Sequence, residues 1–585
     1  MRKIQQLLAL FFTLLTPYIA MAQSKDIEIR IVETSDVHGC FFPYDFINRT
    51  PKKGTLSRVM TYVNQLRQQY GDRLILLENG DILQGQPTCY YTNYVKPEMP
   101  NLAAEVINYM GYDAQVFGNH DVETGHAVYD KWIKELECPV LGANIINTLT
   151  GKPYVQPYTI LERAGVRIAV LGMLTPAIPN WLNEELWSGM SFAEMVSTAH
   201  HWVERIKEEE HPDVIIGLFH SGREGGITTD SYEEDASLRV AREVDGFDII
   251  LYGHDHTRHN DIVRGPSGNS VACLDPSCDA LLVADITLNL HITNDGTPQR
   301  CVEQKSIRGK LVSVEQMEID QTFVNHFQAA IDSVNAYVNR EIGYFDCPIY
   351  TRDSYFGSSP FSDLIHDMQL ELTGADISFN APLSFDTRIE AGPIHVSDLF
   401  NLYKYENKVY VLRMTGEEIR RHLEMSYDLW VNTMQSPDDH IMLLNNDNDD
   451  DRQRYAFKNL AFNFDSAAGI DYEVDVTKPD GQKVHILRMS NGQPFDESKW
   501  YRVTMNSYRG NGGGELLTRG ACIPHEELPS RIEWQSEKDQ RYYLMQRIQR
   551  SGHLSPTAHG NWHFVPKEWT EEAIKRDKAL LFGNK

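Results

Sequence analysis

Five short segments of this 585-residue chain each place histidine, aspartate or asparagine directly after a run of apolar residues. They read SDVHG, NGD, GNHD, HSG and GHDH, and they begin at residues 35, 79, 118, 220 and 253. Together they supply seven side chains of metal-ligand type, namely Asp36, His38, Asp81, Asn119, His220, His254 and His256. A mixture of nitrogen and oxygen ligands suits zinc, manganese or iron, whereas calcium prefers oxygen ligands alone.

Seven ligands are too many for one tetrahedral ion, but they suit two divalent ions about 3.5–4 Å apart that share a bridging carboxylate. Asp81 lies in the middle of the series and is the natural bridge. Any single one of these residues is equally well explained as a helix cap or a hydrogen-bonded histidine. Their joint recurrence after apolar runs therefore predicts a two-metal centre, which would activate water for hydrolysis.

The apolar runs predict the strands that position these ligands. Runs at 27–32, 74–77, 114–117, 166–174, 213–219 and 247–252 have the length and composition of buried strands. Helical patterns at 56–70 and 101–112 lie between some of them and give the βα alternation of a layered α/β domain. Because loops converge at the carboxyl ends of strands in such a sheet, the ligands are expected at one edge.

The composition limits the classes of substrate and partner. Asp and Glu number 82 against 55 Lys and Arg, which gives a formal net charge of −27. Such a surface repels polymeric nucleic acid. An acidic protein still binds a small phosphate ester if metal ions supply local positive charge, so the sequence favours a small-molecule substrate of that kind.

The first 22 residues have the organisation of a signal peptide that is removed on export. Arg2 and Lys3 form its basic region, LLALFFTLLTPYIA its apolar region, and AMA at 20–22 its cleavage site. No later stretch of the sequence is apolar and long enough for a membrane span, which predicts an exported protein, periplasmic in a cell with an outer membrane. Export permits disulfides among the eight cysteines, and Cys273 and Cys278 are a candidate pair.

In their order along the chain, the five segments resemble those of the calcineurin-like metallophosphoesterases. The whole mature chain is similar to the two-domain family of 5'-nucleotidases and 2',3'-cyclic-nucleotide phosphodiesterases. This resemblance implies an N-terminal layered β-sandwich flanked by helices and a C-terminal α+β domain that binds the nucleotide. It also implies that one ion is held by Asp36, His38, Asp81 and His256, and the other by Asp81, Asn119, His220 and His254.

His120 is the residue that the family places near the phosphoryl group, and an imidazolium there would stabilise developing negative charge. In the family, an acid three residues later orients this histidine, and here that position is Glu123. Asp121 is the alternative partner. We therefore expect His120 and Glu123 to form the catalytic pair beside the metal centre.

The second half of the sequence predicts a joining helix and a substrate domain. Phe323, Phe327, Ile331, Val334 and Val338 recur at helical spacing, and SSP at 358–360 begins another helix. We expect a metal domain at 23–312, a linker helix at 313–344, a nucleotide-binding domain at 345–553 and a C-terminal extension at 554–585.

The family clamps the nucleobase between two aromatic rings, and the matching residues are Tyr405 in NLYKYENKVY and Tyr508 in MNSYRGNGGGE. Stacking suits this task because every base has a π-face, and it contributes about 1–3 kcal/mol per base. The glycines that follow Arg509 would let the backbone approach a ligand closely. Both tyrosines are therefore predicted to contact a nucleotide.

The position of the phosphate on the substrate stays open between two branches of the family. FNAPLSFDTR at 379–388 replaces the NGGGIR pattern of the 5'-nucleotidase branch, with Arg388 as a candidate for the missing arginine. This segment looks more like the 2',3'-cyclic-nucleotide 2'-phosphodiesterase/3'-nucleotidase branch, which is the main prediction. A 5'-nucleotidase and a non-catalytic nucleotide-binding protein are the alternatives, and the sequence leaves the oligomeric state open.

Overall fold

The computed structural model describes residues 23–294, 301–445 and 457–583, which form two α/β domains. The predicted signal peptide at 1–22 lies outside the described residues. Within the described ranges, none of the helices combines the length and the apolar composition needed to cross a membrane.

The first domain is built on two six-stranded sheets. In strand order, the first sheet contains Cys301–Ser313, Leu282–Asn294, Gln23–Thr34, Leu74–Glu78, Ala114–Val116 and Val140–Leu141. The second contains Arg258–Arg264, Ser270–Pro276, Ile249–Tyr252, Val214–His220, Val166–Leu174 and Tyr158–Arg163. The central strands of each sheet are parallel to one another, so their carboxyl ends lie at one edge.

The inner faces of the two sheets form one apolar layer. Ile29 and Ile31 of the first sheet are buried in the same cluster as Val170 and Ile216 of the second. Because side chains alternate along a strand, Val32 points to the opposite face and packs in the core beneath the helices. The sheets therefore pack face to face, as in a β-sandwich.

Helices cover the outer face of each sheet. The first sheet is covered by Leu56–Tyr70, Leu102–Met110 and His126–Glu135, and the second by Met195–Glu210 and Ser237–Glu243. Asn101 begins its helix by accepting a hydrogen bond from the Ala104 N–H, and Gly111, with φ 67°, ends it. The predicted β-sandwich flanked by helices is confirmed.

The segment that joins the domains contains two helices, Gln321–His326 and Gln328–Val338, instead of the single helix expected. The break lies at Phe327, whose φ and ψ of −95° and 11° depart from helical values. The five apolar residues predicted to share a helix face are nevertheless all buried in the core of the first domain. The joining segment is thus part of that core.

The second domain is an α+β unit around a five-stranded sheet. In order, its strands are Ser466–Ala468, Ile377–Asn380, Trp500–Asn506, Lys408–Thr415 and Ile532–Asp539. Two three-stranded sheets accompany it, one of Val484–Met489, Ile470–Asp475 and Trp562–Val565, the other of Gly392–His395, Glu341–Phe345 and His553–Leu554. Its main helices are Pro360–Thr373, Val396–Leu402, Gly416–Trp430, Gln540–Ser551 and Lys567–Phe582.

Two helices of this domain are held by hydrogen bonds between side chains and backbone N–H groups. Ser359 accepts a hydrogen bond from the Ser362 N–H and caps the helix that begins at Pro360, as its sequence predicted. In the last helix, the buried carboxylate of Asp577 accepts hydrogen bonds from the N–H groups of Ile441 and Met442, at 2.8 and 3.0 Å. The last helix is therefore docked onto the second domain.

The candidate pair Cys273 and Cys278 does not form a disulfide, and both residues are free thiols. Cys273 lies within the strand Ser270–Pro276 and packs in the core under the second sheet's helices. Cys278 follows the end of that strand and interacts with His256. Their spacing is compatible with a bridge, but the Cys273 thiol lies in the core and the Cys278 thiol lies near the metal centre.

His366 gives the second domain a dependence on pH. It lies on the helix Pro360–Thr373 with 1% of its surface exposed, and its Nδ1 is 2.8 Å from Ser378 Oγ. Burial is the main reason that the pKa of His366 is lowered to about 4. An unfolded histidine has a pKa of about 6.5, so the unfolded state binds the proton first as the pH falls.

We expect this histidine to remove about 3 kcal/mol of stability as the pH falls from about 6.5 to 4. The folded form is fully stabilised above the unfolded pKa and loses that stability below it. Denaturant midpoints measured between pH 7 and 4 should therefore change less steeply in a His366→Gln variant than in the wild type. Parallel curves for the two proteins would contradict this assignment.

Candidate metal centre

The loops that carry the predicted ligands adopt left-handed backbone conformations. Positive φ values between 49° and 84° occur at Asp36, His38, Asp81, His254 and His256. Residues other than glycine avoid this region, because adopting it costs roughly 1–2 kcal/mol per residue. The Asp36 N–H donates to Gly80 O at 3.0 Å and the His38 N–H to Asp81 O at 2.9 Å. Neighbouring strand-end loops thus hold each other in these conformations.

Four of the predicted ligands, Asp36, His38, Asp81 and His256, each bring a ligand atom within 4.8 Å of the other three. The Nε2 atoms of His38 and His256 are 3.0 Å apart, and His256 Nε2 lies 3.2 Å from Asp36 Oδ1. Asp81 Oδ2 lies 4.0 Å from His38 Nε2. These are the residues expected to hold the first ion.

The other predicted ligands meet on the opposite side of Asp81. Its Oδ2 atom lies 3.3 Å from His220 Nε2. Asn119 Oδ1 lies 3.1 Å from the same His220 atom and 2.8 Å from His254 Nδ1. All seven side chains therefore come together, and Asp81 Oδ2 lies between the histidines of the two groups, where a bridging ligand is required.

Two carboxylate oxygens in this cluster have the environment of metal ligands. Asp36 Oδ1 and Asp81 Oδ2 are buried and accept no hydrogen bond, whereas Asp36 Oδ2 accepts from the His254 N–H and Asp81 Oδ1 from the His120 N–H. Buried polar atoms are normally satisfied. With imidazole nitrogens around them, these two oxygens would be satisfied by divalent cations, so the residues present fit a dinuclear centre.

Backbone carbonyls fix the orientation of two of the histidines. His38 Nδ1 lies 3.0 Å from Gln84 O, and His220 Nδ1 lies 2.6 Å from Asn79 O. A carbonyl oxygen only accepts, so each Nδ1 carries the proton and donates it. The Nε2 lone pair of each ring is thereby left for a metal ion.

His254 is oriented by an acid that the sequence did not reveal. Its Nε2 lies 3.1 Å from Glu234 Oε1, which turns Nδ1 toward Asn119. Glu234, Asp235 and His254 also bring ligand-type atoms within 4.8 Å of one another. Since His254 already faces the centre through Nδ1, we interpret Glu234 as the carboxylate that orients the ring. It lies on the short strand Glu233–Asp235, which has no recognisable motif.

His120 is paired with Glu123, as the sequence favoured. Its Nδ1 lies 2.7 Å from Glu123 Oε2. The alternative partner, Asp121, is engaged elsewhere, because its carboxylate accepts hydrogen bonds from the backbone N–H groups of Asp81, Ile82, Leu83 and Gly118. Asp121 therefore holds the ligand loop together, and Glu123 orients the histidine.

The pKa values of His120 and His38 are shifted in opposite directions. Burial opposes protonation of His120, but the carboxylates of Asp81 and Glu123 outweigh it and raise the pKa of His120 to about 9. Burial and the neighbouring His256 imidazole lower the pKa of His38 to about 4. In the metal-free site, the two carboxylates therefore favour the imidazolium form of His120, which can stabilise negative charge, and burial favours the neutral form of His38, which binds metals.

The two predicted aromatic residues come from the second domain. The Tyr405 ring is parallel to the His120 ring, with 6.0 Å between centroids and 4° between planes. Tyr508 makes an edge contact with Phe462 at 6.2 Å. All three aromatic side chains are partly exposed. Phe462 was not predicted, because its relation to Tyr508 depends on how distant segments pack.

The loop after Tyr508 is fixed by a buried arginine. Arg509 is 2% exposed, donates to both Asp465 oxygens at 2.8 and 3.1 Å, and donates to Phe462 O at 3.0 Å. A Cβ atom at Gly513 would lie 2.6 Å from the Tyr508 ring. Glycine is therefore required there, since the ring packs directly onto the backbone.

Two family models match this chain. One, described as calcineurin-like phosphoesterase, matches residues 29–258, and the other, described as 5'-nucleotidase, C-terminal domain, matches residues 341–519. A candidate dinuclear site with a histidine beside it suits a metal-dependent phosphoric ester hydrolase, and the first model agrees with that class. The chain therefore carries a calcineurin-like phosphoesterase domain followed by a 5'-nucleotidase C-terminal domain.

Named relatives cover most of the chain. A 2',3'-cyclic-nucleotide 2'-phosphodiesterase/3'-nucleotidase of Haemophilus influenzae is 23% identical over 94% of this chain and 89% of its own length. The trifunctional nucleotide phosphoesterase protein YfkN of Bacillus subtilis is 26% identical over 95% of this chain, which spans 40% of that protein. The structure of a 5'-nucleotidase precursor from Thermus thermophilus matches 92% of this chain and 100% of its own, with 19% identity and a TM-score of 0.62, and supports the fold.

Proposed function

We propose that this protein is a dimetal phosphoesterase that hydrolyses 2',3'-cyclic nucleotides and 3'-nucleotides, releasing nucleoside and phosphate. The observation that carries this proposal is the parallel placement of Tyr405 over His120, at 6.0 Å. It sets a surface suited to a nucleobase directly beside the group suited to a phosphate. The names of several relatives support the same substrate class.

Two divalent ions, of zinc, manganese or iron, would complete the centre. One would be held by Asp36, His38, Asp81 and His256, and the other by Asp81, Asn119, His220 and His254. When bound, such ions supply positive charge at the phosphate and lower the pKa of water from 15.7 to about 7.

His120 would act on the phosphate through its Nε2 atom. Glu123 occupies Nδ1 of the ring at 2.7 Å, so the proton on Nε2 is the one directed away from that carboxylate. A hydrogen bond from Nε2 to a phosphoryl oxygen would stabilise the charge that develops during bond cleavage. Glu123, which is not a predicted metal ligand, keeps the ring in place and favours its protonated form.

The contacts of Arg388 support the cyclic and 3' branch over the 5'-nucleotidase branch. Arg388 is the candidate for the arginine of the 5' branch, yet its Nη2 donates to Glu390 Oε2 at 2.8 Å and its guanidinium lies over the Tyr350 ring at 5.2 Å. Its side chain is 52% exposed. It therefore has the contacts of a surface ion pair, and we do not assign it to substrate binding.

The proposal is tested by measuring phosphate and nucleoside release from 2',3'-cyclic AMP, 3'-AMP and 5'-AMP in parallel, with manganese, with zinc and with a chelator. We expect chelator-sensitive turnover of the cyclic and 3' esters. Preference for 5'-AMP would assign the protein to the 5'-nucleotidase branch. Release from none of the three would reject a nucleotide phosphoesterase, and a binding assay with 3'-AMP would then test the non-catalytic alternative.

Removing the Tyr508 ring should weaken nucleotide binding without changing the chemistry. We expect Tyr508→Ala to raise KM for 3'-AMP about tenfold, because one stacking partner of the base is lost. Tyr508→Phe keeps the ring and should resemble the wild type. Glycerol 2-phosphate, which has no base, should be hydrolysed equally by all three proteins, and a loss with that substrate as well would show that Tyr508 supports the fold of the site instead.

We also propose that the protein works outside the cytoplasm, in the periplasm of a cell that has an outer membrane. The support is the basic, apolar and small-residue order of the first 22 residues. A small nucleotide is the partner that the site suits, and the net charge of −27 disfavours polymeric nucleic acid.

A further inference from the structure

The carboxylate of Glu123 receives three hydrogen bonds, and one of them comes from the second domain. His120 Nδ1 lies 2.7 Å from Oε2, and Gln84 Nε2 donates to the same oxygen at 3.0 Å. Both belong to the metal domain. Asn407 Nδ2, from the second domain, donates to Oε1 at 3.1 Å. Glu123 is therefore held from both sides of the domain boundary.

Asn407 is itself fixed by a buried network. It is 6% exposed, its Oδ1 accepts from the Tyr403 hydroxyl at 3.2 Å, and its backbone carbonyl accepts from the Gln540 N–H at 2.9 Å. Gln540 Nε2 donates to the same Tyr403 hydroxyl at 3.1 Å, and both residues are fully buried. Because Oδ1 is used by Tyr403, the amide group aimed at Glu123 is the donor. The orientation of Asn407 is thus set by the second domain alone.

We propose that Asn407 is a positioning residue that completes the catalytic pair from the second domain. By holding Oε1 of Glu123, it leaves Oε2 directed at His120 and so keeps the imidazole in its productive orientation. The same loop carries Tyr405, whose ring lies against His120. Docking of this loop would therefore orient the catalytic histidine and bring the base-binding ring into place together. This inference rests on the proposed phosphoesterase function.

The test uses the full-length, metal-loaded protein with the variants Asn407→Ala and Asn407→Asp. Aspartate keeps the shape of the side chain but replaces the donor with a carboxylate that faces Glu123. We expect kcat for both 3'-AMP and glycerol 2-phosphate to fall roughly tenfold in each variant, since an oriented proton donor contributes about 100- to 10,000-fold and only part of its orientation is lost. KM should change less than about twofold, because no bond to substrate is removed.

A double-mutant cycle with Glu123→Gln separates positioning from general damage to the fold. If Asn407 acts through Glu123, Asn407→Ala should cause little further loss of kcat in the Glu123→Gln background. Fully additive losses would overturn the proposal, as would wild-type kcat in Asn407→Asp. Melting temperature and metal content equal to wild type establish that each variant is folded.

Asn401 provides a matched control, since its Nδ2 also crosses between the domains, to Asn48 Oδ1 at 3.3 Å. Asn401→Ala should leave kcat unchanged. A higher KM for 3'-AMP alone in the Asn407 variants, with glycerol 2-phosphate unaffected, would show that Asn407 contacts the base and would overturn positioning. If the wild type cleaves glycerol 2-phosphate but no nucleotide, the proposed substrate is wrong, while the cycle still decides the role of Asn407.

Discussion

Replacing Asp81 with alanine should lower kcat by about 1,000-fold or more and reduce the bound metal to below two ions per molecule. Asp81 Oδ2 lies between His38 Nε2 and His220 Nε2, at 4.0 and 3.3 Å, so its removal takes a ligand from both groups at once. A dinuclear centre supplies several kcal/mol of transition-state stabilisation, and each 1.36 kcal/mol corresponds to a factor of ten. Elemental analysis of the purified variant, together with its kcat, measures both effects.

Asp72→Ala is the matched control for this substitution. Asp72 is an exposed aspartate in the turn after the first helix of the metal domain, and its loss should change neither the metal content nor kcat. If Asp81→Ala keeps its activity and two ions, Asp81 is not a bridging ligand. If it loses activity with both ions retained, the carboxylate has a role in the reaction other than holding the metals.

Replacing His120 with glutamine should lower kcat for 3'-AMP by about 100-fold or more while the metal content stays at the wild-type level. Glutamine replaces the imidazole, whose protonated form the neighbouring Glu123 carboxylate favours, with a neutral amide. The charge that forms on the phosphoryl group would then lose a strong donor. His120 differs in this respect from the seven predicted ligands, whose loss should also remove metal.

The dependence on the leaving group tests the same role more sharply. p-Nitrophenolate leaves with little assistance, so p-nitrophenyl phosphate should lose less activity than 3'-AMP if His120 helps the departing oxygen. Equal losses would restrict His120 to stabilising the phosphoryl oxygens. His126→Gln serves as control, since His126 lies on the next helix and bonds Asp130 at 3.1 Å. A His120→Gln variant with wild-type kcat would remove this residue from the mechanism.

The arrangement of the metal centre follows closely from local sequence. Asp36, Asp81, Asn119 and His254 each lie two or three residues beyond the end of a parallel strand, and His220 is the last residue of one. An apolar run predicts the strand, and the geometry of a parallel sheet then predicts that the strand ends share an edge. The sandwich of two sheets was expected from the family resemblance, not from these runs.

The residues that sequence reasoning missed depend on contacts between distant segments. Asn407 and Glu123 are 284 positions apart, and nothing in the sequence near either residue indicates the other. Glu234 reaches His254 from the short strand Glu233–Asp235, and Phe462 contacts Tyr508 from a distant segment of the second domain. The candidate pair Cys273 and Cys278 is unpaired for the same reason, because spacing along the chain does not determine where each thiol lies in the fold.

The positive φ angles at five of the seven predicted ligands imply that catalytic activity and stability make opposing demands on these loops. Asp36, His38, Asp81, His254 and His256 each hold a backbone conformation that glycine adopts freely and that costs other residues roughly 1–2 kcal/mol. Glycine at any of these positions would relax the loop and at the same time remove a ligand. Selection for heat resistance alone would therefore favour the replacement of residues that the catalytic activity requires.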